Sequence, residues 1–138
     1  MLEIYKSRLN TINGRTVSDL EPIDQIEPDC WVNLAAPTED ELKQVEVALN
    51  LPPEFLRYPL DEEERPRIDY ESDTDQLLII ADFPFVRREG SNTKYETQPV
   101  GIILAGKALV TIALREAVIL EPFKSNRVRD FVTAYRTR

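Results

Sequence analysis

The sequence predicts a three-layer α/β/α sandwich around a mixed, partly antiparallel sheet. Three observations carry this reading. Leu77 to Ala81 and Ala108 to Leu114 are apolar on both faces, as strands covered from both sides are. Helical segments are interspersed among the strands, the order of a layered α/β domain. Gly106-Lys107 links two strands through two residues with glycine first, a type II′ hairpin that demands an antiparallel pair.

The elements follow in chain order. Leu2 to Leu9 alternates as a strand with one wetter face. Asn13-Gly14 is a turn, and residues 16–29 read as acidic loop or edge structure. Cys30 to Leu34 is a strand stopped by Pro37. Thr38 then caps a helix, with Glu41 completing a Thr-x-x-Glu capping box. Glu39, Asp40 and Glu41 lie where the helix dipole favours negative charge, and Leu42, Val45 and Leu49 form one apolar stripe. Asn50 ends this helix. Pro53 opens a short second one, which Pro59 ends.

Arg67 to Glu71 is a short strand, and Glu71 to Asp75 a polar turn. The apolar strand from Leu77 is interrupted at Asp82, and Pro84 tolerates no ladder at its nitrogen. Arg87 to Asn92 reads as a loop. Tyr95 to Ala105 and Ala108 to Leu114 form the hairpin pair. Val128, Phe131, Val132 and Tyr135 recur at amphipathic helical spacing, with Ser125 as cap. Leu77, Ile79, Ile103, Val110 and Ile112 are the predicted core. The chain stops at Arg138 without a glycine or asparagine cap, which reads as a cut through a longer protein.

The 138 residues suit one domain. The net charge of −8 is uneven: residues 1–69 hold 16 acidic and 7 basic side chains, and the last 17 residues are net +4. Such a field disfavours nucleic acid and suits divalent cations, basic surfaces or a neighbouring subunit. No secretory signal opens the chain, and no apolar run reaches the ~18 residues of a membrane helix.

The chemistry is sparse, and the chain does not read as an enzyme. Histidine is absent, which removes the commonest general base and zinc ligand. Cys30 is the single cysteine, has no base to activate it and reads as a small buried hydrophobe. No phosphate loop is present. Asp82 is the best isolated carboxylate, better explained by a sheet edge or an arginine partner than by catalysis. Asp61, Glu62, Glu63 and Glu64 run into Arg65-Pro66-Arg67. Consecutive side chains splay apart, so the stretch reads as a solvated, salt-bridged linker rather than a Mg²⁺ or Ca²⁺ site.

Trp31-Val32-Asn33-Leu34, Pro37-Thr38 and Glu39-Asp40-Glu41-Leu42 resemble the opening of the CorA-like magnesium transporter family. Pro52 to Leu56, Leu60 to Ile68, Leu77 to Phe85 and Pro99 to Leu104 are similar to its following helix, junction and strands. The resemblance covers essentially the whole chain. It implies an N-terminal cytosolic domain, residues 1–138, cut before the stalk and membrane helices. It further implies a place on the cytoplasmic face of the membrane, a homopentamer of the full-length protein, and passage of Mg²⁺ and in some members Co²⁺ or Ni²⁺. The pore's Gly-Met-Asn motif has no counterpart, since Met1 is the only methionine. By itself this chain is expected to be monomeric or weakly associating and to transport nothing.

Family members of known regulation bind Mg²⁺ between neighbouring domains, through a carboxylate just after the central strand. Here that position falls near Val86-Arg87-Arg88-Glu89, where Glu89 is the one suitable ligand. The resemblance therefore implies Glu89 as a candidate metal residue, no firmly bound cofactor, and Mg²⁺ at subunit interfaces of the whole protein. The implied function is cation-dependent regulation of a channel. The alternatives are a stand-alone protein-interaction module and, more remotely, a metal-assisted hydrolase.

Overall fold

Asn13 and Gly14, at φ 51° and 75°, fold the N-terminal segment back on itself. The hairpin so formed comprises β1 (Leu2–Ile12) and β2 (Arg15–Pro22). The computed structural model describes residues 1–106, 108–129 and 131–134. The other strands are β3 (Cys30–Ala35), β4 (Arg67–Glu71), β5 (Gln76–Glu89), β6 (Asn92–Ala105) and β7 (Ala108–Ala113). They form one seven-stranded sheet in the order β2-β1-β3-β7-β6-β5-β4. Only β3 and β7 pair in parallel; their connection carries the helices.

Helix α1 (Glu39–Leu49) begins at Thr38 with both halves of the capping box made. Glu41 does more than cap. Its carboxylate also receives the N-terminal ammonium at 3.0 Å and the Leu2 N–H at 2.9 Å, tying the chain start to the helix start. Asn50 ends α1 in the left-handed region at φ 49°. The short α2 (Pro53–Arg57) follows, then a single 3-10 turn at Tyr58–Leu60. Leu42, Val45, Leu51, Phe55 and Leu56 of this layer pack on Val32, Leu34, Leu78, Ile80, Ile103, Val110 and Ile112 of the sheet. Gly101 sits where a Cβ would come within 2.3 Å of Pro59, so the 3-10 turn rests directly on the β6 backbone.

The opposite face of the sheet is covered unevenly. Over β1–β3 lies a C-terminal strap: a 3-10 turn at Val118–Leu120, the one-turn α3 (Glu121–Lys124) and the chain beyond it. Phe131 packs edge-on against Trp31 and Phe123. Beneath the strap runs a hydrogen-bond chain. Trp31 donates to the Thr111 hydroxyl, which donates to Asn33, whose amide donates to Glu3; Lys124 also binds Glu3, at 2.5 Å. Burial acts to raise the Glu3 pKa, but the bonds from Lys124, Asn33 and Tyr5 prevail and hold it below the usual range. Tyr5 is pushed up to about 12 by burial and by Glu3.

The mixed sheet flanked by helices is the predicted α/β sandwich, with three differences of detail. First, residues 125–134 contain no helix among those described; Tyr135 lies outside the described residues. The reason is competition from the sheet. Asn126 bonds both backbone groups of Leu20, the Ser18 hydroxyl donates to the Phe131 carbonyl, and Thr133 exchanges bonds with Ser7. Second, β5 passes through Asp82 and Pro84 and pairs with β6 from Gln76 to Glu89, so Arg87 to Glu89 are strand and not loop. Beyond Ile80, β5 has no partner on its β4 side, which leaves room for the prolyl nitrogen.

Third, Leu77 and Ile79 are only partly buried, while Leu78 and Ile80 are the ones in the core. Ile103, Val110 and Ile112 are buried as predicted. The cross-strand rows Tyr70–Leu77–Leu104–Leu109 and Ile68–Ile79–Ile102 lie on the strap's side of the sheet, on the part of that face the strap does not reach. Ile68 is 67% exposed there and Tyr70 62%. Gly106, at φ 53°, makes the β6–β7 turn, and Lys107 lies outside the described residues.

Candidate functional site

The long β5–β6 hairpin projects beyond its neighbours, because β4 pairs only as far as Ile80 and β7 only as far as Val100. At the base of this arm the acidic junction meets the end of β7. Asp61 bends the junction: its N–H bonds the Tyr58 carbonyl at 3.1 Å, and its carboxylate accepts the Glu63 N–H at 2.9 Å. Glu64 pairs with Arg67, whose Nε also reaches Asp69 at 2.8 Å and whose guanidinium lies 4.6 Å from the Tyr58 ring centre. Glu62 pairs with Arg115, and Arg115 lies 4.9 Å from the Phe85 ring centre.

Between these groups opens a cleft of about 530 Å³, walled by Glu62, Pro84, Phe85, Tyr95, Glu96 and Arg115. It offers two carboxylates, each already facing a cation: Glu62 faces Arg115, and Glu96 is 3.6 Å from Arg87. Such a surface exchanges partners readily. It attracts a hydrated divalent ion only weakly, because exposed, satisfied carboxylates give up an arginine for each ion gained.

The four carboxylates of 61–64 do not converge. Glu62 and Glu64 are held by different partners, Arg115 and Arg67. Glu89 sits at the arm's tip with Lys94 Nζ at 2.9 Å and Arg87 Nε at 3.5 Å. Among the described residues, no group of three or more histidine, cysteine, aspartate or glutamate side chains comes together. Asp82 is exposed on the arm opposite Pro99. Cys30 is fully buried, and burial raises its pKa, which keeps the thiol protonated. Glu96 and Arg115 are the cleft residues that no sequence motif singled out; the β5–β6 register sets Glu96 opposite Phe85, and the pair with Glu62 brings in Arg115.

Three comparisons bear on this domain. Residues 29–131 match the family described as "CorA-like Mg2+ transporter protein". The soluble domain of CorA from Methanocaldococcus jannaschii superposes with a TM-score of 0.69 at 20% identity, covering 96% of this chain and 49% of that one. The complete CorA magnesium transporter from the same organism gives 0.65 at 21% identity, covering 96% and 40%. The ZntB cytoplasmic domain from Vibrio parahaemolyticus RIMD 2210633 gives 0.60 at 17%, covering 89% and 48%. The chain thus spans less than half the length of each of these structures. A search of curated proteins gave no match.

Proposed function

Since the chain belongs to the CorA-like Mg²⁺ transporter family, we propose that it is the cytosolic regulatory domain of a divalent-cation channel. The family consists of transporters, and this domain is not an enzyme. The observation that carries the reading is the family match over residues 29–131, which spans the sheet from β3 through β7 and the junction between them. No helix among the described residues is long and apolar enough to cross a membrane; the reading places conduction in other parts of a longer protein.

The half-covered sheet supports this division. A face bearing Ile68, Tyr70, Leu77, Ile79, Ile102 and Leu104 needs a cover, and the matched CorA soluble domain is about twice as long as this chain. The reading assigns the cover to helical segments that continue the protein towards a stalk and membrane helices, on the cytoplasmic side of the membrane. The full-length protein then assembles as a homopentamer and passes Mg²⁺, with Co²⁺ as a second cargo.

Regulation follows from charge. The acidic half of one domain repels that of its neighbour until cations screen or bridge the two. Glu62, Glu89 and Glu96 are the carboxylates at the arm and its base through which a cation would act, each by displacing a lysine or arginine. Titration calorimetry of the chain with MgCl₂ tests this part. The expected result is binding in the millimolar range that fades between low and physiological salt. A salt-insensitive micromolar site would contradict it. The reading frame after residue 138 tests the rest: two apolar segments are expected, and a frame without them favours the stand-alone interaction module.

A further inference from the structure

The two outer edges of the sheet differ in charge through what flanks them: β2 and β4 are themselves alike, but arginines of the C-terminal strap make the cleft beside β2 basic, whereas β4 runs into an acidic turn. Along β2 runs a cleft of about 570 Å³ lined by Arg15, Thr16, Ser18, Arg127 and Arg129, with Asp19 at its end. Among the described residues, none of these three arginines is in an ion pair; Arg127 bonds the Ser125 hydroxyl. β4 and the turn after it present Asp69, Glu71, Asp73 and Asp75, of which Asp69 is paired with Arg67.

Backbone orientation at both edges follows from the hydrogen bonds and the prolines. Leu20 gives its N–H to Asn126 at 2.7 Å and takes the Asn126 amide at 3.3 Å, so its backbone points away from β1. Thr16 and Ser18 share that direction by the two-residue period, and β2 has no strand on that side. At the other edge, Pro84 and Pro99 have no N–H and fit their strands only with the nitrogen turned off the β5–β6 ladder. Pro84 therefore faces the β4 side, as do Gln76, Leu78 and Ile80. These residues meet Glu71, Asp69 and Arg67, whose backbones face inward. Ile68 and Tyr70 consequently face out.

Strand direction agrees as well. The pairings from β2 through β4 leave the two outer strands antiparallel to each other. A second copy set beside the first in the same orientation thus brings its β4 antiparallel to β2, with the helices of both copies on one side. Matching the outward residues, Thr16 with Tyr70 and Ser18 with Ile68, places Arg15 against Glu71 and Asp19 against Arg67. Both are opposite-charge pairs on one face.

We propose that the basic cleft along β2 is a strand-addition site for β4 of a second copy of this chain, joining copies head to tail through a shared sheet. The contact is heterologous, so it propagates or closes into a ring. The Asn126 clasp on Leu20 limits it to residues 15–19, which makes it a weak and reversible contact. It goes beyond the channel reading and does not depend on it, since it uses only this chain's own two edges.

Sedimentation velocity of the chain at physiological salt, with its thermal unfolding as a check on folding, tests the proposal. Concentration-dependent association is expected. Arg15→Glu and Glu71→Arg should each weaken it about fivefold or more, and an equimolar mixture of the two variants should restore it. The register also places Val17 opposite Asp69 in a non-hydrogen-bonded pair, with Cα atoms about 4.5 Å apart. A mixture of Val17→Cys and Asp69→Cys should therefore form a disulfide-linked pair; Cys30 is fully buried and does not compete. A chain monomeric to millimolar concentration overturns the proposal. So does association that ignores both charge reversals, or that is lost instead on Ile79→Asp, which would place the contact on the apolar face. Failure of the mixed cysteine pair to link overturns the register and with it the site.

Discussion

Gly101→Ala is the substitution that most directly probes how the helical layer is seated on the sheet. A Cβ at this position would lie 2.3 Å from Pro59 Cγ, 2.9 Å from Pro59 Cβ and 2.8 Å from Ile112 Cγ2. Carbon atoms in ordinary contact sit about 3.5–4.0 Å apart. The 3-10 turn must therefore lift by more than an ångström. Pro59 is buried and its ring is stiff, and Ile112 is 1% exposed in the core. Overpacking of this kind costs about 1–3 kcal/mol, and three simultaneous clashes argue for the upper part of that range. Urea unfolding reads the loss, with a fall in Tm of about 2–8 °C for each kcal/mol in a domain this size. Pro59→Ala removes the nearest atom, so the double variant should recover about 1 kcal/mol relative to additivity. Equal stability of Gly101→Ala and the parent, or strict additivity with Pro59→Ala, would refute the seating described here.

Four other outcomes follow. Leu78→Ala should cost about 2–5 kcal/mol by chemical denaturation, and Ile79→Ala distinctly less, because only Leu78 lies in the core. Ala36 sits at φ 44°, where a Cβ is strained, so Ala36→Gly should raise stability by about 0.5–1 kcal/mol. Glu41 is held below its ordinary pKa of 4.5 first by the Thr38 N–H, with the N-terminal ammonium assisting; Glu3 is also lowered. Their contribution is present above pH ~4.5 and lost as pH falls through the lowered values, so Tm should drop in acid, and Glu41→Gln should flatten that drop. Tyr5 is raised to about 12 from 10, so its contribution is complete below pH 10 and lost from there towards 12. An alkaline Tm profile should show this, with Tyr5→Phe abolishing that step.

Much of the fold was legible because local chemistry and tertiary packing agree there. The Thr38–Glu41 capping box, the Leu42/Val45 stripe and the Gly106 turn are each specified within a few residues. The last segment was illegible because its spacing fits a helix while its polar groups are taken by distant partners. Ser7, Ser18 and Leu20 lie more than a hundred residues away in sequence from Thr133, Phe131 and Asn126. The face of Leu77 and Ile79 misled for another reason. Apolar side chains announce that a face needs cover but not which chain segment supplies it. The candidate site was half legible: the junction of Asp61 to Arg67 stood out as a charge run, whereas its partners Arg115 and Glu96 come from single positions with no motif around them.

The central claim, that this domain sets channel opening through the charge on its surface, is tested most directly by Mg²⁺ flux. The full-length protein in liposomes would be followed with a Mg²⁺-sensitive dye while Mg²⁺ on the domain's side is raised through the millimolar range. Flux should fall as Mg²⁺ rises. With Glu62, Glu89 and Glu96 replaced by their amides, the cation loses the carboxylates through which it would act, so closure should need higher Mg²⁺. A closure curve unmoved by the loss of these three charges, or a protein that passes no divalent cation, would contradict the account.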